Sequence, residues 1–135
     1  MTITETLRNP LSMYNVKDKV AVITGASGAF GRACALTLGS LGGKLVLASG
    51  NREELDAVVA EVAEVGGEAV AVNRRPDALE DAEAIREAGL EAFGHIDQLV
   101  IASGYNKAGF IHEMEYEDWQ AVMDANVRGA WLMAK

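Results

Sequence analysis

Cysteine, proline and long apolar runs are all scarce in this sequence of 135 residues. The one cysteine, Cys34, has no partner for an intrachain disulfide, which excludes a small extracellular scaffold held together by disulfides. No run of about 18 apolar residues occurs, so the sequence predicts no membrane-spanning helix. The first ten residues are polar and of mixed charge, without the apolar centre of a secretory signal. We therefore expect a cytoplasmic protein with no membrane partner.

Positive charge is also scarce, because 12 lysines and arginines face 20 acidic residues and leave a formal net charge of -8. Nonspecific binding to nucleic acid depends on neutralising phosphates with basic side chains, so this balance argues against a nucleic-acid partner. It leaves room for a local basic pocket. The two histidines, His95 and His112, lie far apart, and their acidic neighbours lack the spacing of a metal site. We predict no bound metal.

Short apolar strand patterns alternate with amphipathic helical patterns four times along residues 17–135. Short apolar runs of this kind are typical of strands buried on both faces of a parallel sheet. Alternation of strand and helix indicates βαβ units with helices on both faces of the sheet. The sequence therefore predicts one α/β domain, a doubly wound parallel sheet of the Rossmann type, after a loose lead-in at 1–16. The predicted strands are 20–23, 44–48, 69–72 and 98–102, and the predicted helices are 32–41, 53–65, 79–93 and 116–135.

Helical spacing also predicts which side chains face the sheet. The expected inward residues of the first helix are Ala33, Leu36, Thr37 and Leu41, and those of the last helix are Trp119, Val122, Met123, Val127 and Ala130.

The turn between the first strand and the first helix, residues 25–31, is rich in small residues. Open α/β sheets bind ligands at the carboxyl ends of their strands, and free N–H groups at the start of a helix favour an anion. Gly25 permits a sharp turn, and Gly31 permits close packing of helix on strand. A tight turn without a ligand is the alternative. We predict a dinucleotide site that includes Gly25, Ser27, Gly28, Ala29, Phe30 and Gly31.

Residues 20–35, VAVITGASGAFGRACA, resemble the cofactor loop of the short-chain dehydrogenase/reductase family. That loop reads Thr-Gly, three residues, Gly, one residue, Gly. Ala29 takes the place of the middle glycine, and its methyl group fits there if its φ is negative. The resemblance continues at 93–97 (FGHID) and at 126–130 (NVRGA).

A further stretch, residues 101–104, reads Ile-Ala-Ser-Gly where the family commonly has Asn-Asn-Ala-Gly. The family's asparagine hydrogen bonds, which brace the central sheet, therefore cannot form here. The resemblance still implies a wall of small residues beside the cofactor, formed by Ala102, Ser103 and Gly104.

The end of the second strand bears on the choice of dinucleotide, because an acid there binds ribose hydroxyls and a base accepts a 2′-phosphate. Residues 48–52 read Ala-Ser-Gly-Asn-Arg, without an acid. We expect Ser49, Asn51 and Arg52 to hold a phosphate, which favours NADP over NAD. Arg74 and Arg75 follow the third strand, where the family usually has an acid near the adenine. They either add positive potential there or flank Pro76 in a solvated turn, and we include Arg75 among the cofactor-binding residues.

The resemblance implies an NAD(P)-dependent oxidoreductase that transfers hydride between a nicotinamide cofactor and a small carbonyl or alcohol substrate. Family catalysis uses a Tyr, a Lys four residues later, a Ser, and an Asn on an earlier helix. No tyrosine here is followed by lysine at the fourth place, so Asn126 alone can be assigned a catalytic role. We expect a Rossmann domain truncated after the fourth strand and the following helix, inactive by itself. The family packs this helix on a partner subunit, so Trp131, Leu132 and Met133 predict a homo-oligomer, a dimer or tetramer.

Two other functions are compatible with parts of the sequence. A non-catalytic dinucleotide-binding or regulatory module is favoured by the departures at Ala29, Arg75 and Ile101. A Rossmann-type methyltransferase would also use a glycine-rich turn after its first strand. Such an enzyme usually ends its second strand with an acid, so the lack of one near Ser49 counts against it.

Overall fold

Four parallel strands form the centre of the computed structural model, in the spatial order β3-β2-β1-β4. The structure describes residues 3–135, and at 4–6 only the backbone. In the register of the sheet, Thr24 pairs with both Ala48 and Ile101, and Ala48 pairs with Val72. The carboxyl ends of all four strands therefore lie along one edge. The strands are β1 (Val20–Thr24), β2 (Lys44–Ala48), β3 (Glu68–Val72) and β4 (Gln98–Ile101).

Helices cover both faces of this sheet, which confirms the predicted doubly wound α/β fold. The helices are α1 (Ile3–Arg8), α2 (Ala29–Ser40), α3 (Arg52–Glu64), α4 (Leu79–Phe93), α5 (Tyr116–Met123) and α6 (Gly129–Ala134). One core cluster joins inward side chains of β1 and β2, such as Ile23 and Leu47, to α2 and α3. The other joins Val22 and Val46 to α4 and α6.

The buried face of α2 differs from the predicted one. Its buried residues are Gly31, Ala35 and Gly39, while Leu41 lies outside the helix and is 58% exposed. A Cβ atom placed on Gly39 would lie 3.1 Å from Cγ1 of Val62 in α3. The helix packs so closely on α3 and on the preceding turn that only small residues fit the contact. The predicted stripe was therefore wrong at Ala33, Thr37 and Leu41, which are exposed, although Leu36 is half-buried.

The predicted last helix is interrupted by a π-helical turn, Asp124–Arg128, between α5 and α6. The buried residues after this turn are Gly129 and Leu132. Trp119 and Val127, predicted to face inward, are 43% and 54% exposed. The wider turn changes the facing of the side chains, and β4, an edge strand, offers this helix only part of a core.

The lead-in at the N-terminus is more regular than predicted. It contains α1 and a 3-10 turn, Pro10–Tyr14. The side chains of Leu11, Met13 and Tyr14 in that turn are largely exposed, so it contributes little to the core.

Asp97 fixes the start of β1 against the loop before β4. Its carboxylate accepts hydrogen bonds from the backbone N–H of Val20 at 2.9 Å and from Lys19 Nζ at 3.0 Å. These donors hold the pKa of Asp97 below its ordinary value of 3.8, the Val20 N–H first and Lys19 second.

The low pKa of Asp97 makes its contribution to stability dependent on pH. A carboxyl group whose folded pKa is depressed stabilises the fold above its unfolded pKa, and this is lost as the pH falls through the folded value. We expect Asp97→Asn to lower the free energy of unfolding at about pH 7, with a loss that shrinks at about pH 3, as measured by urea denaturation at both pH values. The control is Asp56→Asn, which removes an exposed partner of Arg52 and should change little at either pH. A loss from Asp97→Asn that is equal at both pH values would contradict the assignment.

Candidate functional site

A cleft of about 430 Å³ opens at the edge where the strands end. The cleft brings together eight of the residues that the sequence predicts to bind a cofactor: Gly25, Gly28, Ser49, Asn51, Arg75, Ala102, Ser103 and Gly104. Three further residues, Gly50, Arg74 and Pro76, complete its lining. Of these, Arg74 carries a sequence signal, since it follows β3, whereas Gly50 and Pro76 lie at the strand ends without side-chain chemistry of their own.

The glycine-rich turn builds one wall of the cleft. Gly25 has a φ of 66°, and a Cβ atom on it would lie 2.5 Å from the backbone nitrogen of Ser103. The Gly28 N–H donates to the Gly25 carbonyl at 3.0 Å, and Gly28 caps the start of α2 in an extended conformation. The turn is closed and its small residues leave the amino-terminal end of α2 facing the cleft, where an anion is favoured.

Ala29 is the first residue of α2 and does not have a positive φ, a conformation that Asp18 alone adopts among the described non-glycine residues. The backbone therefore accepts the methyl group that replaces the family's glycine.

Five predicted cofactor-binding residues lie outside the cleft lining. Gly31 is buried beneath the turn, where a Cβ atom would overlap the Gly25 carbonyl oxygen. Phe30 is 83% exposed, and Ala29 is exposed beside it. Arg52 pairs with Asp56 at 2.7 Å. The Ser27 hydroxyl forms a hydrogen bond with the Ser49 hydroxyl. Contacts of these five residues with a cofactor stay predictions.

Hydrogen bonds fix the end of β2. Ser49 is buried, with 8% of its surface exposed, and its hydroxyl lies 2.7 Å from the Ser27 hydroxyl. The Ser49 carbonyl accepts a hydrogen bond from Asn73 Nδ2 at 2.9 Å. Asn51 caps α3, because its Oδ1 accepts from the Glu54 N–H at 3.3 Å. The polar groups at the end of β2 are thus held in place by hydrogen bonds within the protein.

The carboxyl ends of β1 and β4 are joined by a pair of hydroxyl groups. Thr24 Oγ1, fully buried at the end of β1, lies 2.9 Å from Ser103 Oγ, just beyond β4. The two asparagines that the family uses near this place are absent, but Ser103 supplies a hydrogen bond of its own. It joins the glycine turn to the opposite wall of the cleft.

Asn126 lies in the π-helical turn, behind the cleft wall. Its Nδ2 donates to the Tyr105 carbonyl at 2.6 Å and to the Val122 carbonyl at 2.8 Å. A Cβ atom on Gly104 would lie 2.6 Å from Asn126 Oδ1. Asn126 therefore holds the segment after β4 against the helix, and a side chain at position 104 would displace the Asn126 amide from this place.

Charge in the cleft is opposite in sign to that of the whole chain. Among the described lining residues, Arg74 and Arg75 are cationic and none is acidic. No group of three or more His, Cys, Asp or Glu that could hold a metal ion is found within the described part of the chain. No helix in that part is long and apolar enough to cross a membrane. The arrangement suits an anionic, phosphate-bearing ligand.

Comparison with known proteins gives the same family that the glycine turn resembles. A family model for short chain dehydrogenases matches residues 19–135. An uncharacterized oxidoreductase of Mycobacterium tuberculosis is 45% identical over 127 residues, which cover 93% of this chain and 46% of the relative. A 3-oxoacyl-[acyl-carrier-protein] reductase of Synechocystis is 38% identical, over 91% of this chain and 50% of the relative.

A solved structure supports the same assignment. The short-chain type dehydrogenase/reductase of Mycobacterium marinum superposes with a TM-score of 0.87 at 28% identity, over 92% of this chain and 50% of that one. This chain thus spans about half the length of the relatives that it matches. These matches do not favour a methyltransferase or a non-catalytic module. With its parallel sheet, its glycine turn and a family match over most of its length, this chain belongs to the short-chain dehydrogenase family of oxidoreductases.

Proposed function

We propose that this chain binds NADP, in preference to NAD, in the cleft at the strand ends, as the cofactor-binding part of an oxidoreductase. The carrying observation is that the cleft combines an open, small-residue helix start with the guanidinium of Arg75 and without an acidic residue among the lining residues that the structure describes. Phosphate groups fit the N–H groups at the start of α2. The lack of an acid at the end of β2 leaves the site without the group that most favours unphosphorylated ribose.

The cofactor would supply the hydride, and the protein would supply position and proton transfer. Gly25 and Gly28 would hold the diphosphate, and Ala102, Ser103 and Gly104 would flank the nicotinamide ribose. Asn126 would support the proton path from behind Gly104. The substrate class is a small carbonyl compound or alcohol. The 135 residues contain no Tyr with a Lys four places later, so we propose that the proton donor is not among them and that they do not catalyse hydride transfer alone.

Self-association belongs to the same proposal. Of the three residues on which the sequence prediction rested, Trp131 is exposed, whereas Leu132 is buried and Met133 packs on the core. Exposed apolar surface along the helix that follows β4 is contributed by Trp119, Val127 and Trp131. We infer a cytoplasmic homo-oligomer, a dimer or tetramer, with this surface at the contact. A clean monomer in sedimentation at tens of micromolar would contradict it.

Titration with three ligands tests the binding function. We expect the fluorescence of NADPH to increase when it binds, and bound NADPH to protect the chain against thermal unfolding. NADH should bind more weakly, and S-adenosylmethionine should have no effect. Binding of the methyl donor alone would overturn the proposal, and so would indifference to both nicotinamide nucleotides. Stronger binding of NADH than of NADPH would be consistent with a nicotinamide-nucleotide site but would refute the preference for NADP.

A further inference from the structure

Three arginines lie near the ends of β2 and β3, but they differ in how far acidic partners engage them. Arg52 pairs with Asp56 at 2.7 Å and does not line the cleft. Arg74 lines the cleft but pairs with Asp81 at 2.8 Å. Arg75 lines the cleft and has its nearest carboxylate oxygen, on Asp77, at 3.8 Å, beyond hydrogen-bond distance. Its guanidinium is the one of these three that is left to bind a ligand.

Arg75 reaches from β3 to the end of β2 because position 50 is a glycine. A Cβ atom on Gly50 would lie 2.8 Å from Cδ and 2.9 Å from Cγ of Arg75. The aliphatic part of the arginine thus lies directly on the Gly50 backbone, between Ser49 and Asn51. Gly50 does not have a positive φ, so the space it leaves, rather than its conformation, is what the arginine uses.

We propose that Arg75, seated on Gly50, is the residue that selects the 2′-phosphate of NADP, in place of the basic residue that the sequence suggests at Arg52. The inference rests on the proposed function and assigns its specificity to a side chain from β3. The end of β2 is where dinucleotide-binding sheets meet the adenosine ribose. A guanidinium binds a phosphate through two parallel hydrogen bonds.

The first test compares Arg75→Ala, Arg75→Lys and the matched control Arg74→Ala by titrating each with NADPH and NADH. We expect Arg75→Ala to weaken NADPH binding roughly ten- to a hundredfold and NADH binding less than about twofold. Arg75→Lys keeps the charge but not the paired hydrogen bonds, so it should fall between. Arg74→Ala should leave the ratio of the two dissociation constants nearly unchanged, because Arg74 is already engaged by Asp81.

The second test concerns Gly50, and uses a double-mutant cycle. Gly50→Ala should displace the Arg75 side chain and lower the preference for NADPH severalfold, but should have no effect on that preference when Arg75 is already alanine. Additive effects would overturn the role of Gly50. Equal weakening of NADPH and NADH by Arg75→Ala, or a selective loss in Arg74→Ala instead, would overturn the role of Arg75. Failure of the unmodified protein to bind NADPH would overturn the proposed function and this inference together. The other outcomes concern the variants alone, so they overturn the inference and leave the proposed function in place.

Discussion

Gly25→Ala is expected to abolish measurable NADPH binding and to lower the free energy of unfolding by roughly 2–5 kcal/mol. Alanine in the left-handed conformation costs about 1–2 kcal/mol, and overpacking a closed site costs about 1–3 kcal/mol more. The added methyl group would lie 2.5 Å from the Ser103 nitrogen, a backbone atom that cannot move without separating the two walls of the cleft. Urea denaturation and NADPH titration of the same variant measure both effects.

The control for this variant is Gly94→Ala. Gly94 also has a left-handed φ, of 80°, but nothing lies within 4 Å of an added Cβ atom. Gly94→Ala should therefore show the conformational cost alone, about 1–2 kcal/mol, with unchanged affinity for NADPH. If the two variants lose stability equally and both still bind the dinucleotide, the contact between Gly25 and Ser103 does not shape the cleft.

Leu47→Ala is expected to lower the free energy of unfolding by about 2–5 kcal/mol, the range for a large side chain removed from a closed core. Leu47 is fully buried in the central strand β2, in the cluster covered by α2 and α3. Leu41→Ala makes the same chemical change at a position that is 58% exposed, and should cost within about 0.5 kcal/mol. Equal midpoints for the two variants in urea would show that this cluster is not the stabilising core.

The alternation of strands and helices is what made the fold predictable from sequence. Each of the four predicted strands is present to within one residue at each end, and the predicted helix at 79–93 has the bounds of α4. Gly42, Gly66 and Gly94 all have left-handed φ values just after helices, a position at which glycine is favoured. These signals are local, so they can be found without knowledge of the tertiary contacts.

Tertiary contacts decided what the sequence could not predict. Periodicity favours large apolar residues on the inner face of α2, but close packing on the glycine turn and on α3 leaves Gly31, Ala35 and Gly39 buried there instead. The hydroxyl pair of Thr24 and Ser103 joins residues far apart in the chain, at the carboxyl ends of two strands whose adjacency only the sheet order reveals.

The sequence after Arg52 contains a local pattern that argues against a phosphate-binding role for this residue. Asp56 lies one helical turn after it, a spacing at which opposite charges pair. That pairing favours a surface ion pair over a phosphate ligand at Arg52. Arg75 has no such partner one turn on, and its place in the cleft depends on the side chain lying across Gly50.

The π-helical turn that holds Asn126 bears on how this helix tolerates changes in chain length. The Gly129 N–H bonds to the Asp124 carbonyl, five residues earlier, so the turn contains one residue more than a regular α-helical turn. Deleting one residue there would yield an ordinary turn and leave Leu132 in the core. Gly129 would also keep its place beside Pro76, whose carbonyl oxygen lies 3.3 Å from where a Cβ atom on Gly129 would be. A deletion within α5 would instead rotate everything before it by about 100° relative to α6. Insertions and deletions in related chains should therefore concentrate at 124–128, with the asparagine lost or displaced whenever the turn is shortened.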